Sequence, residues 1–171
     1  MRRRSLRREV RRAAALCAGL LLLGAAGPLR AEGVSTVLDF SARLSPSGRY
    51  GAGATADGLW GGGRVRGGLS LGIDAISAGD TDTSAVVSPM GVAVQLRRAA
   101  DTSSPYLAVR AGAAPGALQG QFFCAAFGAF GAGYAWRLGE GASLRVGLEA
   151  WGAWSEPRKE FWVSPSIGLG L

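Results

Sequence analysis

Residues 161–171 read FWVSPSIGLGL. Phe161, Val163, Ile167, Leu169 and Leu171 fall on one parity, and Trp162, Ser164, Ser166, Gly168 and Gly170 on the other. A period of two marks a β-strand with unlike faces. The alternation runs to position 171 without tapering into polar residues. Such a segment reads as a closing strand, one whose bare edge pairs with the first strand of the same sheet.

The same period recurs upstream. Leu38, Phe40, Ala42 and Leu44 oppose Asp39, Ser41 and Arg43; the turn SPSG follows. Tyr50, Ala52, Ala54 and Ala56 oppose Gly51, Gly53, Thr55 and Asp57. Val65, Leu69, Leu71 and Ile73 oppose Arg64, Arg66, Gly68, Ser70, Gly72 and Asp74. Past the polar SAGDTDTS, the run VSPMGVAVQLR sets Met90, Val92, Val94 and Leu96 against Gly91, Ala93, Gln95 and Arg97. Leu107, Val109 and Ala111 oppose Tyr106, Ala108, Arg110 and Gly112, and PGALQG reads as a connection. The segment QFFCAAFGAFGAGYAWRL is long and its parity blurred; Phe127, Ala129, Gly131, Gly133 and Ala135 form its inward set. LGEG is a hairpin signal. Leu144, Val146, Leu148, Ala150 and Trp154 then oppose Ser143, Arg145, Gly147, Glu149 and Trp151, and the charged SEPRKE precedes the closing strand. Eight strands of roughly 10 residues suit tilted crossings of a bilayer.

The first thirty residues carry a different signal. MRRRSLRREVRR is basic, Ala13 to Gly27 is apolar, and small residues lead to Ala31. This is the layout of an export signal over residues 1–31, cleaved after Ala31 or, alternatively, Ala26. Its removal changes the charge balance. The chain has 19 Lys+Arg and 12 Asp+Glu, of which residues 1–31 hold eight Arg and one Glu, leaving 19 − 8 = 11 basic and 12 − 1 = 11 acidic. The domain of residues 32–171 is neutral, so no basic surplus supports nucleic-acid binding. It retains one cysteine, Cys124, and the chain has no histidine. An internal disulfide, and most zinc and Ser-His or Cys-His chemistry, are thereby excluded.

Two all-β readings compete. In a soluble barrel or sandwich the charged face meets water; in a membrane barrel the apolar face meets lipid. Three features favour an antiparallel up-and-down transmembrane barrel. The face opposite the apolar one is rich in Gly, Ala and Ser, and Lys159 is the one lysine. Aromatic residues gather at strand ends, where interfacial girdles fall: Tyr50, Trp60, Tyr106, Tyr134, Trp136, Trp151, Trp154, Phe161 and Trp162. The closing strand leaves no edge for the bilayer to leave unsatisfied.

The export signal, eight alternating strands, LGEG hairpin and C-terminal strand resemble the small OmpA/OmpX-like outer-membrane barrels of Gram-negative bacteria, over residues 34–171. The resemblance implies outer-membrane lipid as surroundings and the barrel assembly machinery as a biogenesis partner. It implies Phe161, Val163, Ile167, Leu169 and Leu171 as the assembly signal, although the family's strand usually ends in an aromatic residue. With the N-terminus periplasmic, SPSG, SAGDTDTS, PGALQG and SEPRKE face outward. A monomer is expected.

An eight-stranded barrel is just wide enough for side chains to fill it. Charges on its inner face must pair, because an unpaired charge in low dielectric is very costly. Asp39, Asp57, Asp74 and Glu149 are therefore expected to meet Arg43, Arg64, Arg66, Arg97, Arg110 and Arg145 in a network that plugs the lumen. A gated polar path and a catalytic acid are the competing readings of these charges. Barrel enzymes to compare with use histidine, so no catalytic residue is assigned, and no cofactor or metal is expected. The glycine runs GAGATADG and FGAFGAG lack the βαβ setting of a phosphate loop. The leading expectation is a non-enzymatic structural or surface-interaction protein. The alternatives are a soluble exported barrel holding a small apolar ligand, and a narrow channel.

Overall fold

The computed structural model describes residues 34–61, 63–77, 84–98, 103–118, 120–155 and 158–171. The proposed export signal, most of SAGDTDTS and part of SEPRKE lie outside the described residues. Among the described residues, nine strands form one antiparallel sheet: β1 (Val34–Leu44), β2 (Tyr50–Trp60), β3 (Val65–Ser77), β4 (Ser84–Val87), β5 (Met90–Arg97), β6 (Ser104–Leu118), β7 (Gln121–Gly139), β8 (Ala142–Ser155) and β9 (Arg158–Gly170).

β4 and β5 are two halves of one barrel strand. Val87 stands opposite Asp74 and Met90 opposite Leu71, in the same register, so no residue is inserted between the halves. The interruption falls at Ser88 and Pro89, because proline has no N–H to give the ladder. The carbonyls stay in use: Gly72 N donates to Pro89 O (2.7 Å) and Ser88 N to Pro115 O (2.8 Å). The barrel thus has eight strands, as the period of two predicts.

Closure is direct. β1 pairs with β9, Leu38 opposite Leu169 and Phe40 opposite Ile167. Thr36 N donates to Leu171 O (2.9 Å) and Leu171 N to Thr36 O (2.7 Å). The seam lapses opposite Ala42 and Arg43 and resumes at Leu44–Val163. Pro165, which has no N–H, lies at that lapse.

One end of the barrel, called here the proximal mouth, carries Val34, Gly61, Gly63 and Arg64, the turn at 139–141, and Leu171. The other, distal mouth carries the turn at 45–49 and Gly120. The LGEG hairpin is as expected, with Gly141 at a φ of 79°, which suits glycine. PGALQG is not a connection: Pro115 to Leu118 belong to β6, pairing with Cys124 to Gln121 of β7. The β6–β7 hairpin is therefore longer than the sequence reading has it. The blurred segment is one 19-residue strand with a register shift between Arg137 and Gly139.

Side chains sort by parity. Phe40, Leu69, Leu71, Val92, Val109, Phe130, Leu148 and Ile167 are exposed on the outside. Tyr50, Phe122, Trp154 and Phe161 ring the distal end of this belt, and Trp60, Tyr134 and Trp136 the proximal end. An apolar belt between two aromatic girdles is the surface a bilayer requires. Three expected girdle members are instead inside: Tyr106 (6% exposed), Trp151 (2%) and Trp162 (1%). They share parity with Arg110, Glu149 and Ser164, and parity, not position along the strand, decides the face.

Candidate functional site

The interior divides into three layers. At mid-barrel, Arg43 (β1) and Arg110 (β6) hold four carboxylates. Arg110 reaches Asp57 (2.7 Å), Asp39 (2.9 Å) and Glu149. Arg43 reaches Asp74 (2.9 Å), Glu149 (3.3 Å) and the Ser164 hydroxyl (3.0 Å). Glu149 bridges the two arginines, so the network is continuous across the lumen. Each planar guanidinium serves several carboxylates at once, which a lysine's point charge does less well. A gap of about 10 Å³ lies beside this plug.

Glycines make room for it. A Cβ at Gly53 would overlap the Asp74 carboxylate, and one at Gly168 the Asp39 carboxylate. Gly133 and Gly147, opposite each other on β7 and β8, likewise receive the Tyr106 hydroxyl. Gly147→Ala is expected to cost about 1–3 kcal/mol as overpacking. The loss should shrink in a Tyr106→Phe background, where the overlapping hydroxyl is gone. Urea titration of the refolded barrel checks this, and an equal loss in both backgrounds would refute the steric reading.

Above the plug, toward the distal mouth, lies an apolar layer. Trp151, Trp162, Phe127, Val87, Ala114 and Ala125 pack together, with Ile76 and Phe123 against them. The Phe127 and Trp151 rings stack at 6.2 Å, and Arg43 lies 5.3 Å over the Trp151 ring, joining this layer to the plug. A cavity of about 390 Å³ opens here, lined by Trp151, Trp162, Phe123, Val87 and Ala114, with Arg49 and Glu160 paired at its rim.

Below the plug, the proximal mouth carries several arginines. Arg145 lies 4.0 Å over the Tyr106 ring and 3.9 Å from Asp39. With its amide turned toward Arg145, Gln95 accepts from it at 2.7 Å. Arg66 donates to the Ser35 hydroxyl (2.9 Å). A cavity of about 300 Å³ is lined by Arg66, Arg97, Arg137, Arg145, Gln95 and Ser143.

The ten charges singled out in the sequence are therefore not one network. Asp39, Arg43, Asp57, Asp74, Arg110 and Glu149 meet in the plug, with Arg145 at its edge. Arg66 and Arg97 belong to the proximal cavity. Arg64 is not inside at all: it is exposed in the turn before β3, where alternation no longer governs direction. Phe161, Val163, Ile167, Leu169 and Leu171 all lie on the outer face of the closing seam; Val163 is half-buried and the others are exposed. Sequence reading passed over Tyr106, Gln95 and Ser164 as interior partners, though each shares the parity of a charged residue on its strand. Among the described residues, no group of three His, Cys, Asp or Glu is placed to hold a metal.

No family model matches the chain, and no curated protein matches it. Solved structures do. Neisserial surface protein A aligns with a TM-score of 0.60 at 13% identity, over 81% of this chain and 94% of that one. The outer-membrane enzyme PagL aligns at 0.59 and 15% identity, over 79% and 98%. The fold is that of the small outer-membrane β-barrels. The N-terminal β-barrel domain of Pseudomonas aeruginosa OprF aligns at 0.52 and 11% identity, over 80% and 97%. These neighbours agree with the closed sheet, the lipid-suited outer surface and the OmpA/OmpX-like resemblance. At such identities they speak to architecture alone.

Proposed function

We propose that the chain is a non-enzymatic protein of the Gram-negative outer membrane, with a structural or surface-interaction role. The carrying observation is the Arg43–Arg110 plug, which closes the lumen at mid-barrel. A filled lumen suits an anchor or surface element better than a diffusion pore. The absence of histidine from the sequence supports the non-enzymatic reading. On this reading the barrel is a monomer inserted by the barrel assembly machinery through its closing strand. The proximal mouth faces the periplasm and the distal mouth the outside. The native protein is expected to pellet with the outer membrane, resist carbonate extraction, and migrate differently on a gel before and after boiling. Planar-bilayer recordings are expected to be silent, and deacylation of lipid A absent. Steady single-channel currents or catalytic turnover would overturn the proposal.

The distal cavity favours a second reading, in which the barrel holds a small apolar ligand at its outer mouth. Inward Trp151, Trp162 and Phe123 give an apolar lining in a volume of about 390 Å³, which lies in the range of small-molecule sites. Adding naphthalene to the barrel in nanodiscs is expected to shift the indole signals of Trp151 and Trp162. Ala114→Phe, which fills the cavity, should abolish the shift.

A further inference from the structure

One buried donor borders the distal cavity without an acceptor. Trp162 lines that cavity from β9 and is 1% exposed. Its indole Nε1–H is buried and has no hydrogen-bond partner. The inward residues on either side of it along β9 are engaged elsewhere. Ser164 accepts from Arg43 (3.0 Å), and Glu160 pairs with Arg49 at the rim. The neighbouring walls, Trp151, Phe123, Val87 and Ala114, bring no side-chain acceptor. Phenylalanine at this position would join the same apolar layer as Phe127 and Phe123 without stranding a donor. A buried donor left unpaired is costly and rare enough to need a reason.

We propose that the distal cavity binds a neutral, mostly apolar molecule with one hydrogen-bond acceptor, a ketone, ester, ether or aza-aromatic ring, which takes the Trp162 N–H. This rests on the second reading above, that the cavity holds an apolar guest, and names the class of guest. Ligand pockets are mostly apolar, with a few placed polar groups that fix orientation. Here the lining gives affinity for a ring or chain, and the indole N–H orients it. A site built around a hydrogen bond rejects an analogue that lacks the matching atom, because the site's own polar group is then left unpaired. The volume of about 390 Å³ takes a bicyclic guest.

The test is a thermodynamic cycle on the barrel in nanodiscs, titrated with naphthalene, quinoline and isoquinoline and read by NMR of the tryptophan indoles. The two aza-analogues keep the naphthalene frame and carry one acceptor nitrogen at different positions. At least one should gain about tenfold over naphthalene in the native barrel relative to Trp162→Phe, the worth of satisfying one buried donor. Dividing the native ratio by the variant ratio cancels partition into lipid. Should Trp162→Phe not fold, the native barrel decides: an aza-analogue should move the Trp162 indole proton downfield of its position with naphthalene. Ala114→Phe should abolish binding of all three guests. Naphthalene binding without that gain or shift overturns the acceptor assignment and leaves the apolar-guest reading standing. So does a gain that survives Trp162→Phe, which would belong to Gln121 or Ser155 of the same lining. No saturable binding of any guest overturns both.

Discussion

Arg110→Met is expected to lower the unfolding free energy of the barrel by about 3–5 kcal/mol, the cost of breaking a buried ion network by removing one partner. Arg110 reaches three carboxylates, on β1, β2 and β8. Methionine fills much of its volume, so the loss reports charge more than cavity. Asp39, Asp57 and Glu149 would then share a nearly dry lumen with Arg43 and Arg145 as the nearest cations. Urea unfolding in micelles, followed by tryptophan fluorescence and by gel mobility, measures the change. Trp151 and Trp162 sit directly above the plug and should sense it.

The cause can be separated from the size. If the loss comes from stranded carboxylates, adding Asp57→Leu to Arg110→Met should recover part of it, although Asp57→Leu alone destabilises. A merely additive double variant would mean that lost packing, not unpaired charge, dominates. The rim pair Arg49–Glu160 is the internal comparison. Both its side chains are partly exposed, and Glu160→Gln should cost less than about 1 kcal/mol. Equal effects at rim and centre would remove the basis for a structural plug.

The period of two in FWVSPSIGLGL and its counterparts made the eight crossings, their facing and the closure readable, because side-chain parity is a local property of a strand. It placed Phe127 and Gly131 inside even within the blurred segment. Strand ends were less readable. Arg64 continues the alternation on paper, but the turn ahead of it frees its direction. Trp162 lies near a strand end, as girdle residues do, yet parity turns it inward beside Ser164. Pro89 and Pro165 mark where ladders lapse, although the register runs on past them. What no local pattern could supply is the layering of charge. Arg110 meets Asp57 rather than Asp74 because of the stagger among strands far apart in the chain, which is set only when the barrel closes. The placement of the proximal arginines follows from that same stagger. Parity placed Arg66 and Arg145 inside, but it could not say that Asp39, Asp57, Asp74 and Glu149 would gather one layer away.

Leu148→Arg carries the sharpest test of the surroundings. Leu148 is 56% exposed on the outer face of β8, between Ala132 and Pro165 of the neighbouring strands. It stands midway between the girdles marked by Trp136 and Trp154. In a bilayer, arginine at this depth is expected to cost about 2–4 kcal/mol, falling to about 0–1 kcal/mol near the interface. Leu138→Arg is the matched control: Leu138 is 62% exposed but lies beyond Trp136, at the proximal end of β7. Folding into vesicles with urea titration should therefore separate the two variants by at least about 1 kcal/mol. Water around the barrel would give a flat pattern. Both substitutions would then replace an exposed leucine by a soluble residue, with effects within about 0.5 kcal/mol of zero and no dependence on depth. The depth dependence, rather than either value alone, assigns the belt to lipid.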